Sequence, residues 1–447
     1  MNNKNGHSIY FLGIGGIGMS ALARYYHAQG CTIAGYDRTP SPLTKALEAE
    51  GISVHYEDKP ELLPEHIDSV IYTPAVPKDL NEIAEILRRG LTLTKRSEAL
   101  GEITRGRFTF AVAGTHGKTT TTAMLSHILK ESGKDVTAFI GGIANNFNSN
   151  LLLGKSADCE LVVEADEFDR SFLHLSPDIS IINSIDADHL DIYGDRKHLI
   201  DSFNAFAALT SQKVIYKEGL PVTDNGKGIT FGLNENCDGY ISDIKTESGV
   251  MHFNIRYENM TTAITLPMPG VHNAFNATAA FLAARLGGIP SEAITKALLS
   301  FKGVKRRLDI RVNNARYCYI DDYAHHPEEI KSCLSAIRLA FPTRKITLIF
   351  QPHLFTRTRD FMEEFAKTLA MADELILLDI YPAREKPLPG ISSSTLLDKV
   401  QLKEKSICSK EELLTRIGNK KPELLVTMGA GDIDRFVEPL EKMIQTW

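Results

Sequence analysis

Short, almost wholly apolar runs alternate along this chain with longer stretches in which apolar residues return every three or four positions. SIYFLG is rich in β-branched and aromatic residues; it leads through a Gly-rich turn into MSALARYYHAQG, whose apolar positions fall on one helical stripe. CTIAGYD, SVIYTPA and LTLTKR read as further strands. Near Arg105–Arg107 the pattern restarts: RFTFAVAG is a new strand, followed by a second Gly-rich turn and a long helix from Lys118. CELVVEAD and DISIINSI read as buried strands of this second sheet. Residues from about 213 to 267 hold the runs GITFG, GYISDIK, MHFNIRY and TAITLPMP, which predict an antiparallel section attached to the central part. Helices are predicted at VHNAFNATAAFLAARLG and SEAITKALLSF, and GVKRR reads as a hinge. Beyond it YCYIDDY, KITLIF, ELILLDI and ELLVTMG alternate with helical segments. Strands alternating with helices imply mostly parallel sheets with helices on their faces. No short-period repeat or low-complexity tract interrupts the pattern.

Composition narrows the function classes. The 447 residues suit two to four domains at roughly 100–200 residues each. With 43% apolar and 24% charged residues the chain can bury a large core. The formal net charge is −6 and the Lys and Arg residues are dispersed, so a nucleic-acid partner is not expected. The start, MNNKNGHSIYFLGIGG, lacks the apolar run and cleavage site of a signal peptide, and no run of 18 apolar residues occurs; a cytoplasmic protein that does not engage a membrane is expected. The six cysteines lie far apart without a CxxC, which reads as reduced thiols.

Two glycine loops carry the chemistry. Gly13-Ile14-Gly15-Gly16-Ile17-Gly18 satisfies GxGxxG between a strand and a helix, and Asp37 ends the next strand, where a ribose-binding acid is expected. Small residues let the backbone approach a pyrophosphate, and the helix N-terminus favours its charge. By itself this motif fits an NAD-dependent dehydrogenase as well as any other diphosphate site. The second loop, Gly114-Thr115-His116-Gly117-Lys118-Thr119-Thr120, also joins a strand to a helix. Its N–H groups can cradle phosphates, Lys118 can reach the β and γ oxygens, and the Thr119 hydroxyl can bind Mg²⁺. Val112 stands where GxxxxGKT has its first glycine, so the loop is a shortened form. Downstream, Glu164-Ala165-Asp166-Glu167 and Asp188-His189-Leu190-Asp191 each follow a strand at the same end of the sheet, where open α/β sheets bind ligands. Glu164 and His189 are the metal candidates there; helix capping is the structural alternative for such acids.

GTHGKTTT, EADE, DHLD, HNAFNA, IDDYAHHP, QPHLFTRTRD and GAGDI follow one another across nearly the whole chain. In this order they resemble the Mur ligases of peptidoglycan synthesis. The resemblance is strongest to the branch that adds L-alanine, through GIGGIGMSALA, GVKRR, TRTRD and GAGDI. It implies an α/β protein of three domains: a Rossmann-like UDP-sugar domain over 1–106, a central P-loop ATPase domain with a mostly parallel sheet and a small antiparallel section over 107–305, and a C-terminal Rossmann-like domain over 306–447 that closes over ATP and the amino acid. It further implies ATP-dependent joining of L-alanine to the lactyl carboxylate of UDP-N-acetylmuramate through an acyl phosphate, with ATP and two Mg²⁺ ions, in a monomer or homodimer. A sister branch attaching a recycled tripeptide to the same sugar nucleotide is the nearest alternative; its first loop usually breaks the GIGGIGMSA run.

Residue by residue, the resemblance assigns Gly15, Gly16, Ile17, Gly18 and Asp37 to the UDP-sugar, with Thr73 and Arg96 as partners of the uridine nucleotide. Gly114 to Thr120 and Lys118 would hold ATP; Thr119 and Glu164 would ligate one Mg²⁺ and His189 a second. His272 and Asn273 match the adenine-side motif, Arg307 the hinge arginine that reaches the phosphates, and Asp322 the ribose-contacting acid. His325 and Arg357 fall where the third domain meets the sugar-linked substrate and the amino acid, and His325 is a candidate base. Two positions depart from the pattern: Phe168 replaces the small or hydroxyl residue common after EADE, and Leu354 stands where some relatives have Arg.

Overall fold

In the computed structural model, which describes residues 6–186, 193, 195–247, 249–383 and 385–447, the first apolar run becomes β1 (Ser8–Leu12) and the stripe after it helix α1 (Ile17–Ala28). β1 lies at the centre of a five-stranded sheet with β2 (Thr32–Tyr36), β3 (Ser53–His55), β4 (Ser69–Tyr72) and β5 (Leu93–Lys95), in the order β3-β2-β1-β4-β5. Every pairing in it is parallel, so its strands need crossovers; helices α2 (Pro42–Ala49) and α3 (Asn81–Arg88) supply two of them. Helix α4 (Arg96–Thr104) then leads to the next sheet.

That sheet is built on β6 (Thr109–Ala113), whose five residues are all buried, as a central parallel strand requires. Helix α5 (Lys118–Glu131) follows, then a hairpin of β7 (Val136–Ala144) and β8 (Ser149–Leu152), then β9 (Glu160–Glu164), β10 (Ile179–Ile182), β11 (Lys213–Lys217) and β12 (Gly228–Gly232). Their order is β12-β11-β10-β6-β9-β7-β8, antiparallel at β7–β8. One apolar core runs from Ile9 and Phe11 through Ala111 and Val163 to Phe203 and Phe206, under both sheets.

The antiparallel section expected over about 213–267 needs correction at its start. β12, the GITFG run, pairs in parallel with β11, and β13 (Gly239–Glu247) begins parallel to β12 through Phe231↔Gly239 and Gly232↔Tyr240. Alternation of apolar and polar residues reveals a strand but not its direction, which the path of the connecting segment sets. β13, β14 (Val250–Tyr257) and β15 (Met260–Leu266) are each divided between the two compact units of the chain.

The first unit comprises residues 1–242, 255–262 and 275–298, and so contains both sheets described above; the second comprises 243–254, 263–274 and 299–447. The second unit holds a six-stranded sheet, β16 (Asp309–Asn313), β17 (Cys318–Asp322), β18 (Ile346–Phe350), β19 (Glu374–Leu377), β20 (Lys405–Ile407) and β21 (Leu424–Met428), ordered β16-β17-β21-β18-β19-β20. All its pairings are parallel except β16–β17. Separate apolar clusters cover its two faces, one around Leu348 and Phe365, the other around Ile349 and Leu440. Among the described residues no helix is long and apolar enough to cross a membrane. All six cysteines are free thiols, and five of them are buried.

Candidate functional site

In the first unit both glycine loops leave the carboxyl ends of their strands, as an open parallel sheet requires of a ligand site. Gly13 has φ +83°, and a Cβ there would come 2.7 Å from Thr73 Cγ2. Asp37 is bound into the loop itself: its Oδ2 accepts from Gly15 N–H at 2.8 Å and its Oδ1 from Thr39 N–H at 3.3 Å. Gly16 caps α1 without any side-chain hydrogen bond, so no side chain of its own engages the helix N-terminal donors. A Cβ on Gly18 would meet Arg96 Nη1 at 2.8 Å. Arg96 begins α4 and its Nη2 donates to Asp166 Oδ2 at 3.1 Å.

The second loop needs glycine twice. Gly114 has φ +134° and Gly117 φ +80°; a Cβ on Gly117 would fall 2.4 Å from Asn276 Oδ1. Ser184 braces the loop from the end of β10: its Oγ accepts from His116 N–H at 2.8 Å and lies 2.9 Å from Thr115 Oγ1. Asp186 N–H donates to Thr115 Oγ1 at 3.0 Å, and His116 Nε2 lies 3.6 Å from Asp186 Oδ2. Thr120 is buried at the start of α5. Lys118 Nζ donates to Gly114 O at 2.7 Å and to Glu167 Oε1 at 2.9 Å. Burial of Lys118 favours its neutral form, but the carboxylates of Glu167, Asp166 and Glu164 outweigh that and hold its pKa above the ordinary lysine value.

Glu164 ends β9. Its Oε1 accepts from the Thr119 hydroxyl at 3.0 Å and its Oε2 from Gly141 N–H at 2.9 Å. Burial pushes its carboxyl up, against the pull of Lys118 and Thr119. A Cβ on Gly141 would stand 2.4 Å from both carboxylate oxygens, so only glycine leaves Glu164 room. Thr119 and Glu164 form an all-oxygen pair suited to a hard cation such as Mg²⁺. No group of three His, Cys, Asp or Glu that could hold a metal ion occurs among the described residues. His189, the second metal candidate, lies outside the described residues.

The first loop and Glu164, the acid that accepts from Thr119, share one cleft. A cavity of about 260 Å³ is lined by Gly16, Ile17 and Gly18 of the first loop, by Thr73 and Arg96, and by Gly141, Glu164 and Asp166 of the central sheet.

The remaining candidates lie in the second unit. Arg306 and Leu308 both have positive φ, +61° and +49°, and Arg307 stands between them in a bridge to Val304. Arg306 is tied down through an ion pair with buried Asp321 at 3.4 Å and a hydrogen bond to Gly429 O at 2.5 Å. Both guanidinium groups lie over the Tyr323 ring, 5.0 and 5.2 Å from its centroid, and Arg307 Nη1 is 4.0 Å from Glu329 Oε1. Asp322 has both carboxylate oxygens on backbone donors, Leu308 N–H at 2.6 Å and Ala324 N–H at 2.7 Å. His325 Nδ1 lies 3.0 Å from Tyr323 O, and its ring meets Tyr323 and His353 edge-on. Burial lowers the His325 pKa, so the ring is neutral at pH 7. Arg357 Nη1 lies 3.3 Å from His353 Nδ1, and burial pushes His353 down to about 4. Burial likewise lowers His272 to about 4, and Asn273 Nδ2 donates to Pro269 O at 2.8 Å.

The structure thus gathers Gly15 to Gly18, Asp37, Thr73, Arg96, the P-loop and Glu164 in one unit, and Arg307, Asp322, His325, Arg357, His272 and Asn273 in the other. Sequence reasoning missed Gly141 and Asn276, Lys118's partner Glu167, the anchoring Arg306 and the ring of His353. HNAFNA, with two asparagines three residues apart on one helix face, and the doubled arginine of GVKRR were the available signals for two of them.

Three family models cover the chain: Mur ligase family, catalytic domain, over residues 8–108; Mur ligase middle domain over 112–284; and Mur ligase, glutamate ligase domain, over 306–431. Among curated proteins, the UDP-N-acetylmuramate–L-alanine ligase of Flavobacterium psychrophilum is 49% identical, covering 99% of both chains. The enzyme of that name from Cytophaga hutchinsonii is 47% identical, covering all of this chain and 98% of its own. The crystal structure of UDP-N-acetylmuramate–alanine ligase from Thermotoga maritima superposes with TM-score 0.84 at 29% identity, covering 97% of this chain and 99% of that one.

Proposed function

The chain belongs to the Mur ligase family, and we propose that it joins L-alanine to the lactyl carboxylate of UDP-N-acetylmuramate, cleaving ATP to ADP and phosphate. The observation that carries this reading is the shared cleft: the diphosphate turn Gly16–Gly18 and the acid Glu164 beside the P-loop line the same cavity. A dehydrogenase would need the first loop alone and leaves Lys118, Thr119 and Glu164 without a task. Full-length relatives named for L-alanine favour that amine over a recycled tripeptide.

A carboxylate is a poor electrophile, since direct attack by an amine would have to expel an oxide. In the proposed sequence a carboxylate oxygen attacks the γ-phosphorus, ADP leaves, and an acyl phosphate forms. The amine nitrogen of alanine then attacks the acyl carbon and inorganic phosphate departs with the C–O electron pair. The diphosphate of the sugar nucleotide would lie along the α1 N-terminus, with Arg96 and Thr73 at its nucleotide end. Lys118 would take the β and γ phosphates, and Arg307 would add a second positive charge as phosphoryl transfer spreads negative charge over the oxygens. Thr119 and Glu164 would hold Mg²⁺, which when bound offsets the repulsion between the two anions. Asp322 would serve the ribose, and His272 and Asn273 the adenine side. His325, neutral because it is buried, would take the proton from the amine, with Arg357 receiving the alanine carboxylate. We read the protein as cytoplasmic, where ATP and nucleotide sugars are made, and as a monomer or homodimer.

The test is ADP release with UDP-N-acetylmuramate and each amino acid or murein peptide in turn. Release with L-alanine and not with tripeptide is expected; release with NADH-linked turnover instead, or with tripeptide alone, overturns the reading.

A further inference from the structure

The β7–β8 hairpin, which follows the P-loop helix, also packs against α1, the helix behind the first glycine loop. Asn150, on β8, is fully buried. Its Nδ2 donates to the Ile17 carbonyl at 2.6 Å and to Ser20 Oγ at 3.0 Å, and Ser20 Oγ itself donates to the Ile17 carbonyl at 3.0 Å. Its Oδ1 accepts from Arg24 Nη1 at 2.6 Å. Arg24 is in turn held by Glu50, through Nε at 2.7 Å and Nη2 at 2.7 Å. Every one of these contacts falls in the first two turns of α1 or at the end of α2.

A helix whose N-terminal donors serve an anion cannot also bond them to a capping side chain, because a cap consumes the same N–H groups. Gly16 accordingly caps α1 with no side chain. The first turn must then be steadied from elsewhere. Asn150 does so from the carbonyl side: it engages Ile17 O and the Ser20 hydroxyl and leaves the N–H groups of the turn untouched. The same hairpin carries Gly141, whose N–H holds Glu164. We propose that Asn150 is a positioning residue for sugar-nucleotide binding, pinning the diphosphate-facing turn of α1 to the hairpin that also shapes the Glu164 site. The proposal rests on reading the first loop as the sugar-nucleotide site.

Asn150→Asp keeps the side-chain shape and the acceptor for Arg24 but replaces the donor to Ile17 O by a carboxylate oxygen. Ser20→Ala removes the bridging hydroxyl and covers the case in which the first variant folds poorly. Binding of UDP-N-acetylmuramate is measured by calorimetry with Mg²⁺ and a non-hydrolysable ATP analogue present, alongside KM for ATP and melting temperature. The expected result is sugar-nucleotide binding about tenfold weaker in Asn150→Asp and weakened to a lesser extent in Ser20→Ala, with KM for ATP unchanged. Wild-type affinity in both variants, or a lowered melting temperature with unchanged affinity, overturns the proposal. A wild-type protein that binds no sugar nucleotide brings down the underlying reading, and is told apart because the failure is already present before substitution.

Discussion

The ammonium of Lys118 rests on the carboxylate of Glu167, 2.7 Å from Oε2 and 2.9 Å from Oε1, with Glu167 only 1% exposed. The ammonium is thereby held in place by a buried counter-ion, and a phosphate taken up by Lys118 would have to compete with Glu167 for the charge.

This pair makes Lys118→Ala a double lesion. Turnover should fall on the order of 10²–10³-fold through loss of a preorganised charge. The protein should also lose stability, because buried Glu167 loses the ammonium it faces. Lys118→Ala combined with Glu167→Gln should regain most of the melting temperature and none of the turnover. Thermal melts and ADP release on the three proteins check this; an unchanged melting temperature in Lys118→Ala would remove the ion pair from the account.

Gly141→Ala should act on the metal site from a residue with no chemistry of its own. The added Cβ has 2.4 Å to each Glu164 oxygen, so the carboxylate must turn away from Thr119. A displacement near 1 Å typically costs about 10²-fold in rate. The expected signature is that loss together with a raised Mg²⁺ requirement and nearly unchanged sugar-nucleotide binding. Wild-type Mg²⁺ dependence in this variant would show that Glu164 does not hold the ion.

His325 should shape the acid side of the pH profile for alanine. Burial lowers its pKa from 6.5, so the neutral ring persists to lower pH than a free histidine would allow. kcat/KM for L-alanine should stay level from pH 8 down to 6.5 and decline only below it. In His325→Gln that decline should vanish, along with roughly 10²–10⁴-fold of the rate. A profile that breaks above pH 7 in the wild type and persists in the variant would assign the break to another group.

Glu82 predicts a stability effect remote from catalysis. It is buried, its Oε2 accepts from Tyr10 Oη at 2.5 Å, and burial raises its carboxyl to about 7. The folded state therefore holds a proton that the unfolded chain has released between pH 4.5 and 7, and stability from this group declines as pH rises through that window. Glu82→Gln, which stays neutral, should raise the melting temperature at pH 8, by an equivalent of about 1–3 kcal/mol, and leave it unchanged near pH 4.5. Equal effects at both pH values would contradict the assignment.

Much of the architecture was open to reading from local signals. Runs such as RFTFAVA and ELLVTMG become buried parallel strands because a strand covered on both faces must be apolar throughout, and that is visible in one dimension. The glycines at 114 and 117 were legible for a similar reason: their positive φ values are a demand of the local backbone. The order of the motifs along the chain identified the family and, with it, the reaction.

Other features have no local signature. The hairpin β7–β8 is one, and with it Gly141 and Asn150, whose importance lies in atoms 23 and 133 residues away, at Glu164 and Ile17. GITFG pairs in parallel where an antiparallel section is expected, because alternation is the same in either direction. The residues chosen as ligands also acquired partners that no motif announces: Glu167 on Lys118, Gly15 on Asp37, the backbone of Leu308 and Ala324 on Asp322. Residue type and local backbone geometry, both legible along the chain, set which side chains can do the chemistry. How each is charged and held depends on burial and hydrogen bonding, and so on which distant segments fold against it.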